Sequence, residues 1–147
     1  VAFSPDGKRV VSGAQDRLVK IWNIETGTEI HSFGHSCTGS CICEERDENG
    51  EYGDIAKLCP VKGPESGVFS VAFSPDGERV VASSWDCSFT VWDVEQGAEL
   101  FTQGQHYNTG LCICEKYENP ECPISAHGQA ITSICFSPDG KRVVSAS

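Results

Sequence analysis

A short segment that reads as strand, turn and strand occurs three times, and it constrains the fold more than any other feature of the sequence. It is VAFSPDGKRVV at Val1, VAFSPDGERVV at Val71 and ICFSPDGKRVV at Ile134. The residues around SPDG alternate in character with a period of two, which is typical of a β-strand. Within SPDG, the proline sets φ for a tight turn and the glycine accepts a positive φ at little cost. The sequence therefore predicts three antiparallel hairpins.

The repeated unit continues beyond the hairpin. The segment QDRLVKIWNIETG (15–27) aligns with WDCSFTVWDVEQG (85–97), and both contain an Asp and a Trp at matching positions. Each segment predicts a third strand that is closed by a turn ending in Gly. The segments TEIHSF and AELFTQ that follow predict a fourth strand. Each full unit is therefore expected to form four short antiparallel strands.

This pattern of hairpin, Asp, Trp and Gly turn resembles the WD-repeat (transducin-β-like) β-propeller family. The resemblance covers both full units and the partial unit from Ile131 to Ser147. It implies an all-β fold made of propeller blades with four antiparallel strands each. The chain would supply two full blades and a half blade, which do not close a ring by themselves. We therefore expect the chain to be a fragment of a larger repeat array.

The spacing of the units predicts two inserts between the blades. The three hairpins start 70 and then 63 residues apart, whereas repeats of this family run about 40–45 residues. Blades are expected at 1–30, at 63–100 and, in part, at 126–147. The inserts, both containing cysteines, are expected at 31–62 and 101–125.

In the family, a His, a Ser or Thr, an Asp and a Trp form a buried hydrogen-bonded tetrad. The resemblance assigns these roles to Ser12, Asp16 and Trp22 in the first blade, to Asp86 and Trp92 in the second, and to His127 and Ser145 in the third. In the second blade, Pro64 and Ala82 stand where the His and the Ser are expected. A buried indole N–H needs a partner, so we interpret these residues as determinants of stability.

The two inserts resemble each other, because both carry Cys-Ile-Cys-Glu and end in Cys-Pro. The cysteines that match between them are Cys41, Cys43 and Cys59 in the first and Cys112, Cys114 and Cys122 in the second, with His31, His35, His106 and His127 nearby. Three Cys and one His can hold zinc, but structural sites favour Cys pairs separated by two to four residues. Disulfides are disfavoured inside cells, where thiols stay reduced. We predict no metal and no cofactor; a metal- or redox-responsive module and a retained intron are the alternatives for the inserts.

One stretch of the first insert is predicted to be loose and sensitive to proteases. The acidic segment Glu44–Asp54 contains a single large apolar side chain, Tyr52. It therefore buries too little surface to offset the entropy lost on ordering its backbone.

Composition and motifs narrow the range of functions that the sequence allows. The net charge is −10, without the basic patch that nucleic-acid binding requires. No apolar run approaches the length of a membrane span. The sequence has neither a nucleophile elbow nor a phosphate-binding glycine loop, so we predict that the protein is not an enzyme. The resemblance implies a protein–protein interaction scaffold inside the cell, cytoplasmic or nuclear. Partners are expected to be other proteins, together with self-association through open blade edges.

Gln15 and Trp85 are the candidate protein-binding residues. They occupy matching positions at the turn before the third strand. We expect Trp85 to be partly exposed, and exposed Trp is enriched among binding hot spots.

Cys135 takes the place of Ala2 and Ala72 on the first strand, where we expect a small buried thiol.

Overall fold

The computed structural model describes residues 1–34, 67–103, 127 and 129–147. These residues form ten strands in three antiparallel sheets. The first sheet contains β1 (Ala2–Phe3), β2 (Arg9–Gly13), β3 (Val19–Asn23) and β4 (Glu29–Phe33). The second contains β5 (Val68–Phe73), β6 (Arg79–Ser84), β7 (Phe89–Asp93) and β8 (Glu99–Gln103), and the third contains β9 (Ser133–Phe136) and β10 (Val143–Ala146). Within each sheet the strands are paired in the order of the chain, which confirms the all-β fold of four-stranded blades.

The described residues contain no helix with the length and apolar character needed to span a membrane.

The SPDG turns are built in the same way in all three sheets. In the first, the Ser4 hydroxyl donates to Asp6 Oδ1 at 2.5 Å and accepts from the Arg9 backbone N–H at 2.9 Å. Gly7 has φ of 70° and donates its N–H to the Ser4 carbonyl at 2.9 Å. The hydroxyl thus links the two ends of the turn and fixes the hairpin. Ser74 and Ser137 make the same two bonds.

In each full blade, the turn between the third and fourth strands is held together by hydrogen bonds to the residue that follows the Trp. Asn23 accepts the backbone N–H groups of Glu25 and Thr26 at 2.9 and 3.0 Å. Gly27, at φ of 68°, donates its N–H to the Asn23 carbonyl at 2.9 Å. Asp93 does the same for Glu95 and Gln96 in the second sheet. A side chain with an acceptor oxygen at this position stabilises the turn, which explains why Asn and Asp occur there.

The three sheets pack face to face, and their contacts form two hydrophobic cores. The first core lies between the first and second sheets and contains Val11, Val19, Ile21, Phe33, Val68, Val71, Val80, Ala82, Trp92 and Val94. The second core lies between the second and third sheets, where Val81, Val91 and Ile134 are buried and Ala72, Phe89, Phe136 and Val143 pack around them. Because successive side chains of a strand point to opposite faces, the second sheet contributes residues to both cores.

The expectation that Cys135 is buried is wrong. Cys135 is exposed, whereas Ala2 and Ala72 at the matching positions pack against the first and the second core. Ala2 and Ala72 face the sheet that follows their own. Cys135 belongs to the third sheet, and on its side no further sheet is present among the described residues.

The fourth strands lie in the segments TEIHSF and AELFTQ, as the sequence predicts, and run past the blade limits at residues 30 and 100. β4 ends at Phe33 and β8 at Gln103, so three residues assigned to the start of each insert belong to a blade. The remainder of the two inserts, with the acidic segment 44–54, lies outside the described residues. The predicted looseness of that segment stays a prediction.

Candidate protein-binding surface

Two matching turns, β2–β3 and β6–β7, approach each other across the segment that leads into β5. Val68 donates its N–H to the Ala14 carbonyl of the first turn at 3.0 Å, and the Gly67 carbonyl accepts from Trp85 N–H of the second turn at 3.0 Å. A Cβ at Gly67 would lie 3.4 Å from Gln15 Cα and 3.7 Å from Trp85 Cδ1. The structure therefore places the two candidate binding residues, Gln15 and Trp85, on either side of Gly67.

Trp85 is paired with a second aromatic side chain at the surface. The rings of Phe69 and Trp85 stack with centroids 5.1 Å apart and an interplanar angle of 14°. Both remain accessible, with Phe69 45% and Trp85 58% exposed. The partial exposure expected of Trp85 is confirmed. We call Gln15, Phe69 and Trp85 the aromatic surface.

Sequence reasoning missed Phe69. The register between β5 and β6 shifts between Val68 and Ser70, which is the signature of a β-bulge. A bulge breaks the period of two and turns one side chain away from the ladder, so strand alternation does not predict where Phe69 lies. One signal was available: Thr132 stands at the matching position of the third hairpin, so an aromatic residue there is not required by the repeat.

The acidic residues beside this surface shape the turns. Asp16 Oδ1 accepts the Leu18 N–H at 3.0 Å. Asp86 Oδ1 accepts both the N–H of Ser88, at 2.9 Å, and its hydroxyl. These bonds hold the two turns in the same shape, with the residue after each Asp at positive φ (Arg17 at 70° and Cys87 at 65°).

Cys87 is not activated by its surroundings. Partial burial, and to a smaller degree the Asp86 carboxylate, raises the pKa of the Cys87 thiol. A raised pKa keeps the sulfur protonated, whereas reactive cysteines have a lowered one. The thiol therefore acts as a small side chain of the turn.

The residues assigned to tetrads are brought together in pairs. Trp22 Nε1 donates to Ser12 Oγ at 2.9 Å in the first sheet. His127 Nε2 and Ser145 Oγ are 2.8 Å apart in the third. Asp16 is exposed and its Oδ1 accepts a hydrogen bond within the turn, so its role in a tetrad stays a prediction.

The second blade, which has Ala82 at the Ser position, buries its Trp in another way. Trp92 is 1% exposed and stacks on Phe33 of the first sheet, with ring centroids 5.1 Å apart and an interplanar angle of 16°. Phe33 in turn stacks on His31 at 5.8 Å. The contribution of all these residues to stability stays a prediction.

In the described ranges, no group of three or more His, Cys, Asp or Glu side chains is placed to hold a metal ion. His31 and His127 are engaged in the contacts given above. The cysteines of the inserts, with His35 and His106, lie outside the described residues. The metal- or redox-responsive alternative is therefore untested, and zinc analysis of the purified protein would test it.

The family profile described as WD domain, G-beta repeat, matches residues 1–23, 56–93 and 119–147. The chain belongs to the WD40 family. Members of this family are generally non-catalytic scaffolds. The match spans the three hairpins and both Trp-containing strands, which are the elements that form the stacked blades described above.

The chain is similar to WD40 proteins over nearly its whole length. It is 28% identical over 162 aligned positions to periodic tryptophan protein 2 homolog of Schizosaccharomyces pombe, covering 99% of this chain and 19% of the relative. It is 27% identical over 161 positions to U3 small nucleolar RNA-associated protein 15 homolog of Xenopus tropicalis, covering 100% of this chain and 27% of the relative. A third relative is the ribosome biogenesis protein WDR12 homolog of Brugia malayi, at 26% identity over 119 positions, 78% of this chain and 26% of the relative. The chain thus spans about a quarter or less of the relatives' length.

Proposed function

We propose that this chain is a non-catalytic scaffold segment that binds other proteins through the aromatic surface. The observation that carries the proposal is the exposed stack of Phe69 on Trp85 beside Gln15. Family membership supports the scaffold role. The ribosome biogenesis named in one relative supports assembly with protein partners.

The stack is suited to binding because it exposes a large apolar area that is already ordered. Aromatic side chains dominate interface energetics, and Trp is enriched among hot spots. Each ring limits the rotamers of the other, so less side-chain entropy is lost when a partner binds. The tight turn behind Trp85 and the bulge beneath Phe69 hold both rings in place.

The test compares two single substitutions in a peptide-binding assay. Trp85→Gln introduces the residue that the first blade carries at the matching turn, so the turn itself is expected to be preserved. Leu100→Ala is the matched control, since Leu100 is 53% exposed on the outer strand β8. Peptides selected from a random phage-displayed library against the wild-type chain are then measured by fluorescence anisotropy. We expect Trp85→Gln to weaken binding by about tenfold or more and Leu100→Ala to leave it unchanged.

Equal binding of the selected peptides to wild type and Trp85→Gln would contradict the proposal. So would a comparable loss with Leu100→Ala, because the surface used would then be the outer strand.

We further propose a nuclear location, with the cytoplasm as the alternative. The small nucleolar RNA named in the Xenopus tropicalis relative supports the nucleus. Microscopy of a fluorescently tagged chain in its own cells tests this proposal.

Self-association is the remaining part of the proposed function. The sequence predicts it through open blade edges.

A further inference from the structure

A carboxylate directly follows each of the two turn residues of the aromatic surface. Asp16 follows Gln15 in the first turn, and Asp86 follows Trp85 in the second. Each carboxylate accepts a backbone N–H of its own turn through Oδ1. These bonds hold two negative charges in fixed positions next to the aromatic surface.

Positive charge is scarce at this place. Within the described ranges, the two turns contain one cation, Arg17, and it is engaged in an interaction of its own. The nearest cation along the following strand, Lys20, is paired with Glu29, with Nζ 2.6 Å from Oε2. The whole chain carries a net charge of −10, which attracts positively charged partners over a longer distance and speeds their association.

The exposed indole of Trp85 is a good acceptor for such a positive charge. Phe69 covers one face of the ring, and more than half of the Trp85 side chain remains exposed. The face of an aromatic ring attracts cations, Trp most strongly, and a planar guanidinium stacks on it better than an ammonium does. Gln15, which is exposed, adds a side-chain carbonyl oxygen that accepts hydrogen bonds from N–H groups.

We infer that the partner of the aromatic surface is a basic peptide segment that presents an arginine. The guanidinium stacks on the exposed indole of Trp85, and the Asp86 carboxylate balances its charge. Charge complementarity selects this occupant, because an acidic segment would meet Asp16 and Asp86 as like charges. The inference rests on the proposed function and adds to it the chemistry of the partner.

The first measurement uses the peptides selected from the phage-displayed library against the wild-type chain. We expect Arg to be enriched in them over its frequency in the library. In the peptide that binds best, Arg is then replaced by citrulline, which has nearly the same shape and no charge. This replacement is expected to raise the dissociation constant by about tenfold. It should also reduce the weakening of binding by added NaCl, because salt screens the charge.

The second measurement removes one charge from the protein at a time. Asp86→Asn keeps an Oδ1 that accepts the Ser88 N–H, so the turn is expected to be preserved. Asp93→Asn is the matched control, because Asp93 Oδ1 also accepts backbone N–H groups of its own turn, at the other end of β7. Far-UV circular dichroism checks the fold of both variants.

We expect Asp86→Asn to raise the dissociation constant of the Arg peptide by about threefold and to leave that of the citrulline peptide unchanged. Asp93→Asn is expected to change neither value, because it removes the same charge far from Trp85.

Selected peptides without enrichment of Arg overturn the inference, and so does a citrulline peptide that binds as tightly as its Arg counterpart. Equal effects of Asp86→Asn and Asp93→Asn also overturn it, because no local contact with Asp86 would then exist. In each of these cases the proposed function stands if Trp85→Gln weakens binding of the selected peptides, and it falls if Trp85→Gln leaves binding unchanged.

Discussion

The two interfaces between blades are made from nearly the same repeat, yet they are held together differently. The first has the larger apolar core, which includes the stack of Phe33 on Trp92, and its hydrogen bond from Val68 N–H to the Ala14 carbonyl joins backbone groups. The second has fewer fully buried side chains and contains a buried hydrogen bond, from Ser83 Oγ to the Ile131 carbonyl at 2.9 Å. The comparison shows that the repeated unit determines which faces of the sheets meet. Single residues determine which contacts hold those faces together.

One position of the repeat contributes to this difference. Gly13 of the first sheet corresponds to Ser83 of the second. A Cβ at Gly13 would lie 2.3 Å from Val68 Cγ1, so glycine is what allows β2 and β5 to approach closely. At the second interface the corresponding serine fits and donates a hydrogen bond.

The largest expected effect is at the aromatic stack of the first interface. Trp92→Ala removes a fully buried indole, so we expect a loss of about 3–5 kcal/mol in the free energy of unfolding. Trp22→Ala, at the matching position of the first sheet, is the control and should cost less than half as much because Trp22 is half-buried. Urea denaturation measures both. Equal losses would show that the position in the repeat, and not the neighbouring sheet, sets the contribution.

The second prediction concerns the close approach at Gly13. Gly13→Ala is expected to lower the free energy of unfolding by about 1–3 kcal/mol through overpacking. In the double variant with Val68→Ala the loss should be smaller than the sum of the two single losses. Additive losses in denaturation experiments would mean that the contact with Val68 is not the cause.

At the second interface we expect a smaller effect from the buried hydroxyl. Ser83→Ala leaves the Ile131 carbonyl without this donor and is expected to cost about 1–2 kcal/mol. Ser133→Ala, at an exposed position of β9, is the control and should change stability by less than about 0.5 kcal/mol. A Ser83→Ala variant as stable as the control would mean that this hydrogen bond does not contribute to the stability of the second interface.

The smallest effect is expected from the SPDG turns, which are built in the same way in all three sheets. The Ser4 hydroxyl, followed by the Lys8 N–H, lowers the pKa of Asp6 below its ordinary value of 3.8. The Ser74 hydroxyl does the same for Asp76. Because the lowered pKa belongs to the folded state, these carboxylates stabilise the fold above pH 3.8, and the contribution is lost as the pH falls through the folded-state value.

Denaturation midpoints measured between pH 5 and pH 2.5 test this expectation. Asp6→Asn and Asp76→Asn should each flatten the acid side of the profile, and by similar amounts. A flattening by one variant and not by the other would show that the turns are not equivalent.

The hairpins, the Gly-ended turns and the four-strand unit were all predictable from the sequence, because they depend on residues close together in the chain. Pro and Gly fix the dihedral angles of the turns, and an alternating strand shows its period wherever it is placed. The family resemblance followed from the same local signals. The candidate surface was predictable in part, since Trp85 stands at a turn tip where its counterpart is Gln15.

Tertiary structure decided which residues with the same local pattern are buried. Trp22 and Trp92 occupy matching positions, and so do Ala72 and Cys135. In each comparison, the more buried residue is the one whose face of the sheet is covered by a neighbouring sheet. Phe69 joined Trp85 because a bulge turned it out of the ladder. Burial and cross-sheet contact depend on atoms that are distant in the chain, so an identical local sequence can be covered in one blade and exposed in the next.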